Sequence, residues 1–306
     1  MSVTRFYSPG KLLITAEYLV LDGAWALALP TRLGQSLEVS PIAPKGQLHW
    51  QAYTHEGQLW LDVQLSVEAL QQGHKPEATD SWTATLTDIL HQALQLQPEV
   101  AARLDGQSVR TQLEFPQQWG LGSSSTLINN LGQWLDLNPY ALLEQSFGGS
   151  GYDIACAQAE GPLMYQRHGH QPFVHPIRFA PSFADQLYFV YLNRKQNSKS
   201  SVAAYSQRRA LAAEWIPKID RITHHLLEAT DAQSFAEQLQ AHEQHMSLLL
   251  ELPTLQETAF ADFEGTVKSL GAWGGDFALV VAHSDPTLYF KNKGYDTLIP
   301  YTNLIK

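Results

Sequence analysis

The most informative segment of this chain is Pro116-Gln117-Gln118-Trp119-Gly120-Leu121-Gly122-Ser123-Ser124-Ser125, which precedes an apolar helical segment. Glycines let the backbone approach an anion closely and adopt unusual dihedral angles. Serines supply hydroxyl donors and are frequent helix caps. Because a helix start offers free N–H groups and positive potential, the segment predicts a phosphate-binding loop. An ordinary loop with a serine cap explains the same residues equally well.

This loop differs from the two commonest nucleotide-binding patterns. It has no Gly-Lys-Ser/Thr ending, so it is not a P-loop. It also has no Gly-x-Gly-x-x-Gly dinucleotide fingerprint. A nucleotide bound here is therefore held by a different route.

Outward from the loop, the periodicity predicts strands first and helices later, which is an α+β architecture. Asp22-Gly23 is a turn signal between the apolar runs Leu12–Leu21 and Ala24–Leu29, and Pro30 is expected to end the second run. The first part of the chain is expected to form antiparallel strands. The other predicted strands are Leu37–Ser40, Gln47–Tyr53, Gln58–Leu65, Ser108–Phe115, Gln186–Leu192 and Phe277–Ala282. The predicted helices are Ser81–Leu96, Ser123–Leu135, Pro139–Phe147, Tyr152–Ala159, Ser200–Leu227, Ala232–Leu250 and Pro253–Ser269.

The bulk properties exclude several classes of protein. The 306 residues are 44% apolar and 16% charged, which excludes a disordered chain and fits either two lobes or one large two-layer domain. The net charge of -10 argues against general nucleic-acid binding. One cysteine, Cys156, allows no intramolecular disulfide, and no apolar run reaches the length of a membrane span. The N-terminus lacks the pattern of a signal peptide, so a cytoplasmic protein without membrane or nucleic-acid partners is expected.

Two further segments carry candidate catalytic residues. Lys11, in Ser8-Pro9-Gly10-Lys11, is placed to contact a phosphate or to lower the pKa of a substrate hydroxyl, although a surface lysine is the simpler interpretation. Glu17 interrupts an apolar run, so an edge or solvent-facing site is expected for it. Gly148-Gly149-Ser150-Gly151 delivers Asp153 to a helix start, where a carboxylate caps the helix, binds magnesium or accepts a proton. With Glu144 nearby, two carboxylates serve one metal and one proton, as phosphoryl transfer requires.

A third glycine-rich segment, Ser269-Leu270-Gly271-Ala272-Trp273-Gly274-Gly275-Asp276, precedes a predicted strand. Such a loop either approaches a ligand through its backbone or makes a tight turn between a helix and a strand.

Taken in order, the three segments resemble the three motifs of the GHMP kinases, the galactose, homoserine, mevalonate and phosphomevalonate family. Ser150-Gly151-Tyr152-Asp153 resembles the Ser-Gly-x-Asp pattern of mevalonate kinases, and Gly-Tyr-Asp-Ile-Ala is a hallmark of a bacterial subgroup. Asn193-Arg194-Lys195 resembles the family's Asn-Thr-Lys segment. Glu243-Gln244-His245 resembles a helix before the third motif, but His245 is given no catalytic role.

The resemblance implies a two-domain fold and a set of residue roles. An N-terminal domain like domain 2 of ribosomal protein S5 is expected over residues 1–182, and a C-terminal ferredoxin-like domain over 183–306. Asp153 is implied as the catalytic base, with Lys11 polarising the acceptor hydroxyl. Ser124 and Glu144 are implied as ligands of Mg²⁺. The residues implied to wrap the ATP phosphates are Gly120, Leu121, Gly122, Ser123, Ser124 and Ser125.

The chain also departs from the family pattern. Ala16-Glu17-Tyr18 stands where mevalonate kinases usually have Gly-Glu-His, and Tyr18 is nearer the phosphomevalonate kinase pattern. Trp273 occupies a position where small residues are usual, and Leu270 replaces a usual threonine. A tryptophan there narrows the ligand cleft or weakens the contact of the loop with phosphate.

The sequence thus predicts transfer of phosphate from MgATP to a small molecule, mevalonate or phosphomevalonate. The alternatives are a catalytically weakened homologue that binds a nucleotide or metabolite, and a diphosphomevalonate decarboxylase. Five basic residues either bind an anionic substrate or form a solvated face: Arg194, Lys195, Lys199, Arg208 and Arg209. The expected assembly is a monomer or a homodimer.

Overall fold

The computed structural model describes residues 3–41, 43–74, 80–169, 171–194 and 198–306, without the side chains of 198 and 199. Lys195 and the side chain of Lys199 therefore lie outside the described part. Eleven strands are described: β1 Thr4–Leu13, β2 Ala26–Ser40, β3 Gln47–Tyr53, β4 Leu59–Ser66, β5 Gln107–Leu113, β6 Leu163–Gln166, β7 Phe173–Pro176, β8 Leu187–Tyr191, β9 Gly265–Leu270, β10 Phe277–Ala282 and β11 Leu298–Pro300.

Twelve α-helices accompany these strands in the described ranges, with short 3₁₀ turns between some of them. They are α1 Val67–Gln71, α2 Ser81–Leu96, α3 Val100–Leu104, α4 Ser123–Leu135, α5 Pro139–Ser146, α6 Tyr152–Gln158, α7 Ser198–Ser206, α8 Ala212–Glu228, α9 Ala232–Leu250, α10 Leu255–Ala259, α11 Thr287–Asn292 and α12 Tyr301–Leu304. In the part of the chain that the structure describes, no helix combines the length and apolar character that crossing a bilayer requires.

The chain divides into two compact units that are interleaved in sequence. The first unit consists of Met1–Gly10, Leu33–Gln117 and Gly122–Gln158. The second consists of Lys11–Arg32, Gln118–Leu121 and Ala159–Lys306. This division differs from the domain boundary predicted at residues 182 and 183, and that boundary stays a prediction.

The first unit is built on strands β4, β3, β5 and the second half of β2, in that order. β3 alternates buried and half-buried residues because only one of its faces meets the core. β3 runs antiparallel to β4 but parallel to β5, since α1, α2 and α3 intervene in the chain before β5. The amphipathic helix α2 buries its apolar side in a core that includes Trp50, Leu90 and Ile128.

The second unit contains a separate four-stranded antiparallel sheet in the order β11, β8, β10, β9. β10 is buried at every residue because it lies inside this sheet. Its core includes Val190, Phe260, Val280 and Phe290, and α8 packs against α9. The first half of β2 pairs with β6, which pairs with β7.

The mixed architecture confirms the predicted α+β class, and α2, α4, α9 and β10 have their predicted bounds. The expected long helix Pro253–Ser269 is wrong, because α10 ends at Ala259 and β9 begins at Gly265. The apolar spacing there resembles a helix period, but Gly265 and the β-branched Thr266 and Val267 favour a strand.

Three other predictions of strands, helices and strand pairing are also wrong. Pro30 does not end its strand, since it lies between the segment of β2 that pairs with β6 and the segment that pairs with β5. Proline has no backbone N–H to donate, and neither of these two strand pairings requires one at position 30. The expected single helix Ser200–Leu227 is divided into α7, a 3₁₀ turn and α8. The expected all-antiparallel first part contains the parallel pair β3 and β5.

Candidate active site

The serine loop opens helix α4 in the first unit. Gly122 has a left-handed conformation with φ of 91°, and α4 begins at Ser123 as predicted. In the described part of the chain no side chain caps this end of the helix. The first N–H groups of α4 and the exposed Ser124 therefore form a site with the chemistry to bind an anion.

The residues after Ser124 point into the protein and hold the loop in place. Ser125 is buried, and its hydroxyl donates to the Gly122 carbonyl at 2.9 Å. Thr126 donates to Gln35 Oε1 at 2.8 Å. Ser125 is thus left with its backbone N–H for the predicted contact with phosphate, which stays a prediction.

Ser8, from the first motif, is tied to the same helix. It is fully buried, donates to Asn130 Oδ1 at 2.8 Å and accepts from Asn129 Nδ2 at 2.9 Å. Asn130 in turn donates to the Gln35 carbonyl at 3.0 Å. These buried bonds fix the middle of α4 against β1 and β2, and the sequence motifs did not predict a role for the two asparagines.

An aromatic pocket adjoins the serines within the first unit. Ser123 and Ser124 lie at its wall with Trp50, Trp60 and Trp82. Trp60 and Trp82 meet edge to face with ring centroids 5.3 Å apart, and Trp82 is 46% exposed. An exposed tryptophan beside free helix N–H groups suits a flat ring that carries phosphates.

Asp153 lies in the first turn of α6, as the glycine turn before it predicted. Its carboxylate is half-buried and accepts from the Ile154 N–H at 3.1 Å. Burial raises the pKa of the nearby Tyr140 hydroxyl, with smaller contributions from the charges of Cys156 and Asp153. Tyr140 therefore stays protonated beside this carboxylate.

The predicted magnesium ligands both belong to the first unit. Ser124 and Glu144 are exposed and present oxygen atoms, the donors that Mg²⁺ prefers. No cluster of three or more His, Cys, Asp or Glu side chains suited to a metal occurs among the described residues. Each residue offers oxygen to an ion that completes its shell with phosphate and water, and their joint role as ligands stays a prediction.

In the second unit, residues from all three motifs meet. Lys11 Nζ donates to the Gly120 carbonyl at 2.8 Å, and the Lys11 N–H donates to the Leu121 carbonyl at 3.0 Å. Gly120 has φ of 67°, and a Cβ there would collide with the carboxylate of Asp276. The sequence pattern gave no reason to expect the contact between Gly120 and Asp276.

The third-motif loop, Gly271–Asp276, is held at several points in the second unit. The Trp273 N–H donates to the Tyr18 hydroxyl at 2.7 Å, and its indole N–H donates to the Pro253 carbonyl at 3.1 Å. Arg194 Nε donates to the Gly274 carbonyl at 3.1 Å. The Leu192 N–H donates to the Asp276 carbonyl at 2.9 Å. The predicted loss of loop contact with phosphate stays untested, but Trp273 anchors the loop.

The expectation that Glu17 lies at an edge or faces solvent is wrong. Glu17 is 3% exposed, and its carboxylate lies 2.5 Å from Nζ of the fully buried Lys268. Burial raises the pKa of Glu17, and Lys268 partly opposes that shift. An isolated carboxylate is too costly to bury, so the charge pair explains how an acidic residue occupies an apolar run.

Two more ionisable residues from α9 complete this buried cluster. The Glu243 carboxylate lies 3.9 Å from Lys268 Nζ, and burial raises its pKa to about 7. His242 Nε2 accepts from the Ala16 N–H at 2.9 Å, and burial holds the pKa of His242 well below its usual value. The cluster therefore contains a neutral histidine and two carboxylates that share one lysine.

The five basic residues proposed for an anionic substrate have different surroundings. Arg208 Nη2 pairs with Glu251 at 2.6 Å, and Arg209 Nε pairs with Asp22 at 2.5 Å. Arg194 is exposed and donates to the backbone of the third-motif loop. Arg194 thus contacts a candidate ligand loop, whereas Arg208 and Arg209 pair with carboxylates.

Comparison with known proteins gives a clear result only at the level of structure. No protein-family model and no curated protein matches the sequence. The Lin0012 protein of Listeria innocua has a TM-score of 0.70 at 13% identity, with 95% of this chain and 94% of that chain covered. Streptococcus pneumoniae phosphomevalonate kinase, in complex with phosphomevalonate and AMPPNP, has a TM-score of 0.68 at 18% identity, with 96% of each chain covered. Methanococcus jannaschii mevalonate kinase has a TM-score of 0.67 at 14% identity, with 97% of each chain covered.

The chain has the two-domain fold of the GHMP kinases. The predicted fold is thereby confirmed over almost the whole chain. Sequence identities of 11–18% are enough to support a shared fold, but they do not identify the substrate. The roles of individual residues, from Lys11 to Asp153, remain predictions in this GHMP-fold protein.

Proposed function

We propose that this chain is an ATP-dependent phosphotransferase of the GHMP kinase type that acts on a small molecule, mevalonate or phosphomevalonate. The observation that carries the proposal is the contact of Lys11 and Asp276 with Gly120 in the second unit. Three motifs that are far apart in sequence supply these residues. The missing Cβ at Gly120 lets residues of the first and third motifs meet at the loop of the second, which is the loop proposed to bind phosphate.

The serine loop and the aromatic pocket support the nucleotide half of the proposal. The N–H groups at the start of α4, with Ser123 and Ser124, bind phosphate oxygens. Trp60 and Trp82 stack on the base, because an aromatic ring offers a π-face to any base. Mg²⁺ bound through Ser124 and Glu144 supplies neutralisation of phosphate charge.

The residues proposed for chemistry are Lys11 and Asp153. Lys11, held on the Gly120 carbonyl, places a positive charge where it polarises the acceptor hydroxyl or attracts phosphoryl oxygens. Asp153 accepts the proton of an alcohol acceptor. An acceptor that attacks through an ionised phosphate group needs no such base, because the second pKa of a phosphate monoester is about 6.

The choice of acceptor rests on similarity. Solved structures with this fold include a phosphomevalonate kinase bound to phosphomevalonate and a mevalonate kinase bound to R-mevalonate. A galactokinase complexed with galactose and a mevalonate diphosphate decarboxylase also match, so the fold alone admits other acceptors.

The test measures ADP release with MgATP and each of mevalonate, phosphomevalonate, homoserine and galactose, with carbon dioxide detected in parallel for diphosphomevalonate. Turnover with mevalonate or phosphomevalonate is the expected result. Nucleotide binding by calorimetry without turnover on any acceptor would support the weakened homologue instead. Release of carbon dioxide and phosphate from diphosphomevalonate would identify a decarboxylase.

A further inference from the structure

The backbone at Tyr18 has an unusual conformation. Its φ of 63° and ψ of -49° belong to a γ-turn with positive φ, and the Leu19 N–H closes the turn by donating to the Glu17 carbonyl at 2.8 Å. The neighbouring Ala16 also has a positive φ, 65°. Such conformations are costly for residues with side chains and persist only where the surroundings fix them.

The buried cluster of Glu17, His242, Glu243 and Lys268 holds the backbone in these conformations. Glu17, at the first position of the turn, pairs with Lys268 where water is excluded. The Ala16 N–H donates to His242 Nε2 at 2.9 Å, and the Ala16 carbonyl accepts from the Val20 N–H at 2.9 Å. Bonds on both sides of Tyr18 therefore hold the turn.

The turn directs the Tyr18 side chain at two other segments. Its hydroxyl accepts from the Trp273 N–H at 2.7 Å and contacts the Ser201 hydroxyl. Its ring stacks on Tyr205, with centroids 5.5 Å apart, and the Tyr205 hydroxyl donates to Asp22 Oδ2 at 2.6 Å. Tyr18 is only 8% exposed, so this network excludes most water from the bond to Trp273.

We propose that Tyr18 is a positioning residue that orders the third-motif loop, Gly271–Asp276, and that the Glu17–Lys268 pair holds Tyr18 in the required conformation. The role rests on the proposed function, because the third-motif loop ends at Asp276, which packs on Gly120 of the proposed phosphate loop. The structural reason for a strained turn is then clear. An unstrained backbone at this position would aim the hydroxyl elsewhere and leave the Trp273 N–H without its acceptor.

The first experiment compares Tyr18→Phe with Tyr289→Phe, which removes a hydroxyl bonded to Asp262 elsewhere in the second unit. Hydrogen exchange of the full chain labelled with ¹⁵N-tryptophan follows the amides of all eight tryptophans, and Trp273→Phe assigns the signal. In Tyr18→Phe we expect the Trp273 amide to exchange about five- to tenfold faster, as the loss of one hydrogen bond predicts. We expect the other seven amides to keep their rates, and Tyr289→Phe to leave the Trp273 amide unchanged.

An unchanged rate at Trp273 would overturn the proposal. So would an equal acceleration at all tryptophans, which indicates general destabilisation and not a local role.

The second experiment measures AMPPNP binding by calorimetry and, where an acceptor is found, the separate effects on kcat and KM. A positioning role predicts weaker AMPPNP binding and a higher KM for ATP in Tyr18→Phe than in Tyr289→Phe, with only the small loss of stability that one hydrogen bond predicts. Equal affinity in the two variants would overturn it. A wild-type chain that binds no nucleotide would refute the proposed function, while the exchange rates would still decide whether Tyr18 orders the loop.

Discussion

Tyr18 and Trp273 lie 255 positions apart in the chain, yet the backbone N–H of Trp273 donates to the Tyr18 hydroxyl at 2.7 Å. Tyr18 differs from the histidine usual in mevalonate kinases, and its bond joins the segment of the first motif to the loop of the third. A histidine side chain is shorter than tyrosine and lacks its hydroxyl. The bond therefore depends on the side chain of Tyr18 and on the backbone, not the side chain, of Trp273.

The close packing of Gly120 predicts a specific sensitivity to substitution. Gly120→Ala introduces both a left-handed alanine and a clash with Asp276. Gly57→Ala, with φ of 78° and open space around it, introduces only the first effect and is the matched control. We expect Gly57→Ala to lower the free energy of unfolding by about 1–2 kcal/mol, and Gly120→Ala by about 1–3 kcal/mol more.

Denaturant unfolding and AMPPNP calorimetry test this prediction. AMPPNP affinity should fall at least about tenfold in Gly120→Ala alone, because a distorted loop loses more than one hydrogen bond to phosphate. Equal behaviour of the two variants would contradict the packing argument.

Asp153→Asn should slow phosphoryl transfer without weakening the binding of nucleotide. With an alcohol acceptor such as mevalonate we expect kcat to fall about 10²- to 10⁴-fold, because the amide cannot accept the proton. Nucleotide affinity should stay close to that of the wild type. Asp296→Asn, at an exposed position in the second unit, is the control. Full mevalonate turnover in Asp153→Asn would remove Asp153 as the base.

Trp82→Ala tests the aromatic pocket. Loss of a stacking partner for the base typically costs about 1–3 kcal/mol, so AMPPNP affinity should fall about five- to 150-fold. Stability should change little because Trp82 is 46% exposed. Phe173→Ala removes an aromatic ring of similar exposure, 52%, from the second unit and should leave binding unchanged. Equal losses of affinity in both variants would place the base outside this pocket.

The Glu17–Lys268 pair should behave as a buried ion pair. Lys268→Met leaves the Glu17 carboxyl buried without its charged partner, so we expect a loss of about 3–5 kcal/mol in the free energy of unfolding. The double variant with Glu17→Met should recover most of that loss. Lys218→Met breaks an exposed pair with Glu214 and should cost no more than about 1 kcal/mol. A double variant less stable than Lys268→Met would contradict this account.

Glu243 predicts a particular dependence of stability on pH. Its pKa is about 7 in the folded chain and near its ordinary value of 4.5 when unfolded, so between those values the folded state binds more protons. The contribution of Glu243 to stability is therefore present at low pH and is lost as the pH rises through 7. The lowered pKa of His242 acts in the opposite direction, and Glu17 and Lys268 also face the site.

Glu243→Gln isolates the contribution of one residue. The melting temperature of the variant relative to the wild type should rise between pH 5 and pH 8, with a gain of up to about 3 kcal/mol in stability at pH 8. A difference that is constant with pH would show that Glu243 titrates normally. Glu237→Gln, on the same helix, is the control.

The short-range features of this protein were predictable because they depend on local pattern. The bounds of α4 follow from serines at a helix start and an apolar period of 3.6, and those of β10 follow from a short apolar run. Local pattern gave a wrong prediction at Pro253–Ser269. The apolar spacing there suited a helix, but the end of this segment pairs with β10 and forms strand β9. Local pattern also failed at Pro30, since the effect of a proline depends on which neighbours a strand acquires.

The order of residues along the chain was enough to recognise the three motifs, because each is a short local pattern, and their resemblance to those of the GHMP kinases predicted the fold. The surroundings of Glu17, Tyr18 and Asp276 emerged only from the folded chain. Their partners, Lys268, Trp273 and Gly120, are more than 150 positions away in sequence. Burial and pairing at such separations are set by packing, which no local pattern records.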